Sequence, residues 1–448
     1  MPQPAPRPTW LSSEARLARY LAQPVVRFLE VEAAGGLLLL AATVTALVWA
    51  SSPWSAGYDS LWSTELSLRA GPVHLDEDLR HWVNDGLMAI FFFVAGLEIK
   101  RELVTGQLAA RRDAALPVVA AVGGMVVPAL LYLAINVGGP GARGWGIPMA
   151  TDIAFALGVL ALLSRRIPPG LSILLLSLAI VDDIGAVTVI AVFYTDTIAL
   201  EWLAAAVGGL VMVALMRRGR VWSTPAYVAV GVGVWLCTLE SGIHATIAGV
   251  ALGLLTPARP HLPQVDADRV ADRLSSEADV SALEVREVAF ELRESVPVSE
   301  RLEHLIHPWT SFLIIPLFAL ANAGIPLSRT ALADAAGSAI TIGVVVGLVV
   351  GKVVGVGLGA WLAVRFGIAR LPDGIAWRHI LGLSSLAGIG FTVSIFVSGL
   401  AFDDPELQQQ AKIGVLIAST IAAVLGLLIL RGGGSEPDRA GTRAEAAT

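Results

Sequence analysis

The stretch Leu171–Tyr194, LSILLLSLAIVDDIGAVTVIAVFY, carries its only charges, Asp182 and Asp183, side by side near its middle. As a helix it is long enough to cross a bilayer, which takes roughly 20 apolar residues. Even on the mild translocon scale one aspartate at the centre of such a span costs about 2.5 to 3.5 kcal/mol. Two in succession therefore mark a functional site, and their sign points to something positively charged. Adjacent residues are about 100° apart around a helix, so the two carboxylates face different directions and have different roles.

The rest of the chain fits a membrane setting. Of 448 residues 55% are hydrophobic and 15% charged, and the mean hydropathy is +0.71. This composition excludes a soluble globular fold and predicts an all-α polytopic membrane protein. No basic tract suggests a nucleic-acid partner, and the lone Cys237 has no second cysteine with which to form an intrachain disulfide. Apolar runs lie at 33–52, 82–103, 115–137, 146–163, 171–195, 199–216, 224–240, 242–256, 309–327, 336–364, 378–401 and 410–430, which predicts about twelve transmembrane helices. Arginine and lysine cluster in alternate gaps: before the first run, at Lys100, Arg101, Arg111 and Arg112, at Arg165 and Arg166, at Arg217, Arg218 and Arg220, after Pro257, and at Arg365 and Arg370. By the positive-inside rule these gaps and both termini are cytoplasmic.

The expected organisation is a cytoplasmic tail over 1–32, a transmembrane domain over 33–430 and a disordered cytoplasmic tail over 431–448. Two connections are long. In the outside loop 53–81, Thr64–Leu75 alternates apolar residues around Gly71-Pro72, as a β-hairpin or a plain loop would. In the cytoplasmic loop 257–307, the apolar spacing of Ala282–Glu294 predicts a surface helix ending before Pro297.

Two spans are interrupted: 146–163 by Pro148, Thr151 and Asp152, and 381–400 by Ala387-Gly388-Ile389-Gly390-Phe391-Thr392. Each is the middle member of a group of three, the arrangement expected of inverted-topology repeats with two broken helices. Broken helices free carbonyls and dipole ends near the membrane midplane. Thr151 and Asp152 offer hard oxygens, which suit an alkali cation such as Na+ or Li+. Asp152 equally fits a second role, balancing the positive ends of the half-helices.

Lys352 is the internal cation. The chain has three lysines against 28 arginines, and a buried ammonium, unlike a guanidinium, can release its proton. Asn84 and Asp85 open the second span from outside, while Glu98, Lys100, Arg101 and Glu102 close it inside. His244 begins a helix on the outside. Glu303, His304 and His307 precede the ninth run, with both imidazoles on one face and titrating near neutral pH.

Together, Ala150-Thr151-Asp152-Ile153-Ala154-Phe155-Ala156-Leu157-Gly158-Val159, Val181-Asp182-Asp183-Ile184-Gly185-Ala186, Phe93–Arg101 and Gly388-Ile389-Gly390-Phe391-Thr392 closely resemble the NhaA sodium/proton antiporter family, over about residues 25–430. The resemblance implies twelve helices with crossed, broken fourth and eleventh members. It also implies a bacterial inner-membrane location and electrogenic exchange of Na+ or Li+ for a larger number of protons, without a cofactor. By motif position Asp183 is the implied principal cation ligand and proton carrier, Asp182 the partner of Lys352, and Thr151-Asp152 the crossing. Glu98, Arg101, Glu102, Glu303, His304 and His307 match positions linked to pH activation, and the hairpin matches a homodimer contact. The connection 257–298 is longer than the resemblance implies. An intramembrane aspartyl protease, the enzymatic alternative, needs its aspartates on two facing helices, and a passive channel would not couple protons to Na+.

Overall fold

The computed structural model describes residues 34–432 except 71–72, 164–166, 196–197, 220, 222–223 and 261–280. The expected tails and the central part of the 257–307 connection lie outside the described residues. What is described is helical almost throughout, and its one sheet is a two-stranded hairpin.

Helix α1 (Ala34–Ala50) is followed by α2 (Ser55–Trp62), bent from it by 116°. The helix α2 corrects the reading of 53–81 as loop and hairpin alone: Tyr58 and Trp62 bury one face of it, and Tyr58 Oη donates to the carbonyls of Leu320 and Ala321. Strands β1 (Glu65–Ala70) and β2 (Val73–Asp78) then pair antiparallel, with Ala70 opposite Val73. A π-turn, Trp82–Leu87, leads into α3 (Met88–Val104), and α4 spans Arg111–Asn136.

The first interrupted span is a 3-10 segment, Pro140–Met149, and α5 (Ile153–Ala161), bent by 46°. The run with the adjacent aspartates is α6 (Pro169–Phe193). Helices α7 (Leu200–Arg218) and α8 (Thr224–Glu240) pack on each other with few fully buried residues, and α9 (Thr246–Leu255) packs on α3.

Helix α10 (Ala282–Glu294) occupies the predicted surface helix, and a bidentate bond from Arg301 to Glu294, at 3.0 and 3.4 Å, fastens it to α11 (Val298–Trp309). Through a π-turn, Thr310–Ile314, α11 runs on into α12 (Ile315–Asn322), so the ninth span is Val298–Asn322 and starts eleven residues before the apolar run at 309. Its first three turns are amphipathic, with Leu302, Leu305 and Ile306 among charges, and a search for continuous apolar sequence misses such a start.

Helix α13 is Arg329–Gly337, and α14 (Ala339–Val346), a π-turn Gly347–Gly351 and α15 (Lys352–Arg365) form one long span. Alpha-helices α16 (Trp377–Leu386) and α17 (Phe391–Ala401) are the second interrupted span, also bent by 46°, and α18 is Pro405–Arg431. Among the described residues six helices are long and apolar enough to cross a membrane singly. Three bent pairs become so when each is taken as one span.

The core lies around the two interrupted spans. Every residue of α17 from Phe391 to Ser398 is buried, and α6 presents Leu171, Leu175, Leu178, Ala186 and Ile190 to the same cluster. Small residues set the approach of the long helices. A Cβ on Gly123 of α4 would run into the Gly355 backbone of α15, and one on Gly355 would meet Gly123 in return, so only glycine lets α15 close on α4. That contact brings Lys352, three residues earlier, into the interior.

Candidate functional site

The two breaks meet each other. Residues before α5 and α17 leave the helical path, so their backbone donors and acceptors need other partners. Asp152 N donates to the Ile389 carbonyl at 2.6 Å, and Thr151 Oγ1 lies 2.8 Å from the Ala387 carbonyl. Asp152 is the N-cap of α5: its Oδ1 accepts from Phe155 N at 2.9 Å. The N-cap of α17 is Gly390, which has no side-chain oxygen to offer. Asp152 Oδ2 fills that place from the other break, accepting from Thr392 N at 3.0 Å and from Thr392 Oγ1 at 2.6 Å. One carboxylate thus caps two helices far apart in the chain, reaching Thr392 across 240 residues, and its charge faces both positive dipole ends. A Cβ at Gly388 would run into the Leu348 carbonyl, so the π-turn of the long span presses directly on this second break.

Next to the breaks sits the charged pair. Lys352 Nζ donates to Asp182 Oδ2 at 2.6 Å, and both side chains are fully buried. The same ammonium donates to Thr151 Oγ1 at 3.1 Å, and that hydroxyl stands 2.7 Å from Asp182 Oδ2. Thr151 has one proton for two acceptors, the Asp182 carboxylate and the Ala387 carbonyl. It therefore links the ion pair to the breaks. Asp182 Oδ1 is buried without a hydrogen-bond partner.

Asp183 differs. Among the described residues its carboxylate makes no hydrogen bond or ion pair, and it keeps 7% of its surface accessible where Asp182 has none. Asp182, Glu98, Asp152 and Lys352 are its electrostatic neighbours. The four residues expected to share a cation are not drawn into one shell: Thr151 and Asp182 turn to Lys352, Asp152 is occupied with the helix ends, and Asp183 stands apart. No group of three His, Cys, Asp or Glu side chains converges as metal ligands among the described residues.

The residues expected to respond to pH fall at one end of α3. Arg101 pairs with Glu303 of α11 at 3.0 Å, and both interact with Glu98. Glu102 is buried and turned away from that pair, its Oε1 accepting from Ser177 Oγ at 3.2 Å and from Gln107 N at 2.8 Å. His304 and His307 are exposed, and His307 Nδ1 lies 3.5 Å from Ser311 Oγ. At the other end Asn84 bonds to Asn322, the backbone carbonyl of Asp85 accepts from Trp235 Nε1 at 2.7 Å, and His244 Nε2 lies 2.8 Å from the Tyr194 carbonyl just past α6. His244 thus serves the end of α6 and not the charged pair. Thr392, Ser177 and Asn322 complete these contacts without having been singled out individually as site residues in the sequence. Neutral polar residues in apolar helices carry no charge signal to betray them.

The chain's relatives agree in kind. The family model described as Na+/H+ antiporter 1 matches residues 26–430. Among curated proteins, the Na(+)/H(+) antiporter NhaA 3 of Frankia alni is 46% identical over 412 residues, covering 92% of this chain and 89% of that protein. The Na(+)/H(+) antiporter NhaA 2 of Sorangium cellulosum is 46% identical over 438 residues, covering 95% and 93%. The Na(+)/H(+) antiporter NhaA of Acidithiobacillus ferrooxidans is 47% identical over 422 residues, covering 91% and 97%.

Proposed function

This chain belongs to the NhaA-type Na+/H+ antiporter family, and on that premise we propose that it exchanges Na+ or Li+ for protons across a bacterial inner membrane, electrogenically and under pH control. The architecture read with it is twelve spans in two inverted repeats, the broken helices crossing at Asp152, both termini cytoplasmic, and two copies joined through the hairpins.

The observation that carries the reading is the division of labour between neighbouring aspartates. Asp182 is held by Lys352 and Thr151, whereas among the described residues the Asp183 carboxylate has no hydrogen-bond or ion-pair partner. A buried, unpartnered carboxylate is stable when neutralised by a proton or by a cation, and not when bare. Na+ and H+ therefore compete for one place, and a neutralised site moves between sides more cheaply than a bare one.

Coupling follows from the charges. With Asp183 protonated and Asp182 paired to Lys352, the site is neutral. For Na+ to take both carboxylates, Asp183 must lose its proton and Lys352 must release Asp182 and give up its own proton. Two protons then leave for one Na+, and one net charge moves per cycle. Glu98, Arg101 and Glu102, at the C-terminal end of α3, with Glu303, His304 and His307 of α11, are the pH-responsive group.

The test is Na+-, Li+- or K+-evoked collapse of a proton gradient in everted vesicles across a pH series. Asp183→Asn is expected to abolish it. Substantial exchange by that variant removes Asp183 from its role. The apparent Na+ affinity of the parent should weaken about tenfold for each pH unit of acidification per proton displaced, over the range in which the displaced protons are bound.

A further inference from the structure

Exchange requires the cation site to be closed to one side of the membrane while open to the other, and a closure is built on the hairpin side of the breaks. Asn84, in the π-turn Trp82–Leu87, and Asn322, the last residue of α12, bond reciprocally. Asn322 Nδ2 donates to Asn84 Oδ1 at 2.8 Å, and Asn84 Nδ2 donates to Asn322 Oδ1 at 3.4 Å. Asn322 Nδ2 also donates to the Phe318 carbonyl at 3.1 Å, one turn back. The Phe318 ring centroid lies 6.2 Å from that of Phe396, and Phe396 lies 5.5 Å from Phe92. All three rings are buried.

The order along the helices agrees. On α12 the amide comes one turn after the ring, and on α17 the ring comes one turn after Thr392, which holds Asp152. On the second span the π-turn amide precedes Phe92 by about two turns. The sequence of layers is thus amide pair, rings, breaks.

We propose that Phe92, Phe318 and Phe396 are the closed gate between Asp183 and the hairpin side, and that the Asn84–Asn322 pair is its latch. These are positioning residues that decide which side the cation site faces, and the assignment rests on the exchange reading above. Three packed rings offer a dehydrated cation no oxygen, so nothing crosses until they part. The latch is neutral, so it closes without competing with Asp183 for Na+. Its partners sit on two different spans, so it opens when those spans separate.

The experiment uses the full chain with Cys237→Ser, Asn84→Cys and Asn322→Cys, reconstituted in vesicles. Crosslinking the pair is expected to lower exchange about tenfold or more, as for a locked lid, with recovery on reduction. Na+-evoked proton release in detergent, which reads the site from its open side, should persist in the locked protein. Exchange at the uncrosslinked rate overturns the gate. Independently, Asn322→Ala should lower the apparent Na+ KM on the hairpin side and raise it on the opposite side, each by about threefold for a modest population shift. Parental values on both sides overturn the latch. Absence of Na+-driven proton movement in the parent would instead defeat the exchange reading, so the two failures are told apart.

Discussion

Lys352 and Asp182 form an ion pair with no exposed surface, and such pairs are poor sources of stability because desolvation consumes most of the attraction. Removing one partner is another matter, since it strands a charge. Lys352→Ala is therefore expected to cost about 3 to 5 kcal/mol, visible as a lower melting temperature in detergent. Lys352→Arg keeps the charge but, with a guanidinium that holds its proton, is expected to fold and yet release fewer protons per Na+. Calorimetric proton release separates the two, and parental release by the arginine variant would exclude Lys352 as a carrier. At this scale the sequence was legible where charge stands out: two aspartates and one of three lysines in apolar runs. Thr392 was read only as part of an interruption and Asn322 not at all, because their partners are 240 and 238 residues away and neither type is rare in a membrane helix.

At the level of elements, the breaks were readable because glycine and proline interrupt helices for reasons of backbone geometry. Their mutual contact was not, since periodicity carries no information on which helix meets which. Asp152 serves both, so Asp152→Ala should uncap two helices at about 0.5 to 2 kcal/mol each. Thr392→Val removes only the hydroxyl and should cost less. Both changes are expected to lower thermal stability while Na+-evoked proton release, measured at a temperature where each variant is folded, stays within a few-fold of parental. A complete loss of release with unchanged stability would place Asp152 among the cation ligands. The amphipathic start at Val298 and the helix Ser55–Trp62 escaped for a different reason: each mixes polar and apolar residues, so neither resembles a span.

For the whole molecule, the hairpin is the part that stands outside the bundle. It is tied to the second span through Asp78, whose Oδ1 accepts from His81 N and lies 2.8 Å from His81 Nδ1. Burial opposes the charge on both groups and is the largest single influence on each, but the opposing contacts together outweigh it: the His81 backbone N–H, the mutual hydrogen bond and the nearby opposite charges hold Asp78 below the usual carboxylate range, and the bond to Asp78 with the charges of Asp78, Glu77 and Asp85 holds His81 above the usual imidazole range. Stability from Asp78 is present above the unfolded carboxylate value and lost as pH falls through the lowered folded one. Stability from His81 is full below the unfolded imidazole value and lost as pH rises through the raised folded one. The anchor is thus strongest from weakly acidic to near-neutral pH. Asp78→Asn should bring the His81 titration down toward the ordinary imidazole value, followed by its ring resonances. Replacing 65–78 by a short glycine linker is expected to give monomers in detergent while keeping exchange per chain; dimers of unchanged stability would place the contact elsewhere.

The double cap at Asp152 also bears on how the chain is made. A ribosome releases the first break long before Thr392 exists, so α5 enters the bilayer while the partners of its carboxylate are still unsynthesised. Asp152 must remain protonated, hydrated or sheltered by the insertion machinery until the last third of the chain arrives. The meeting of the two breaks is accordingly completed only near the end of biogenesis, once Thr392 has been made.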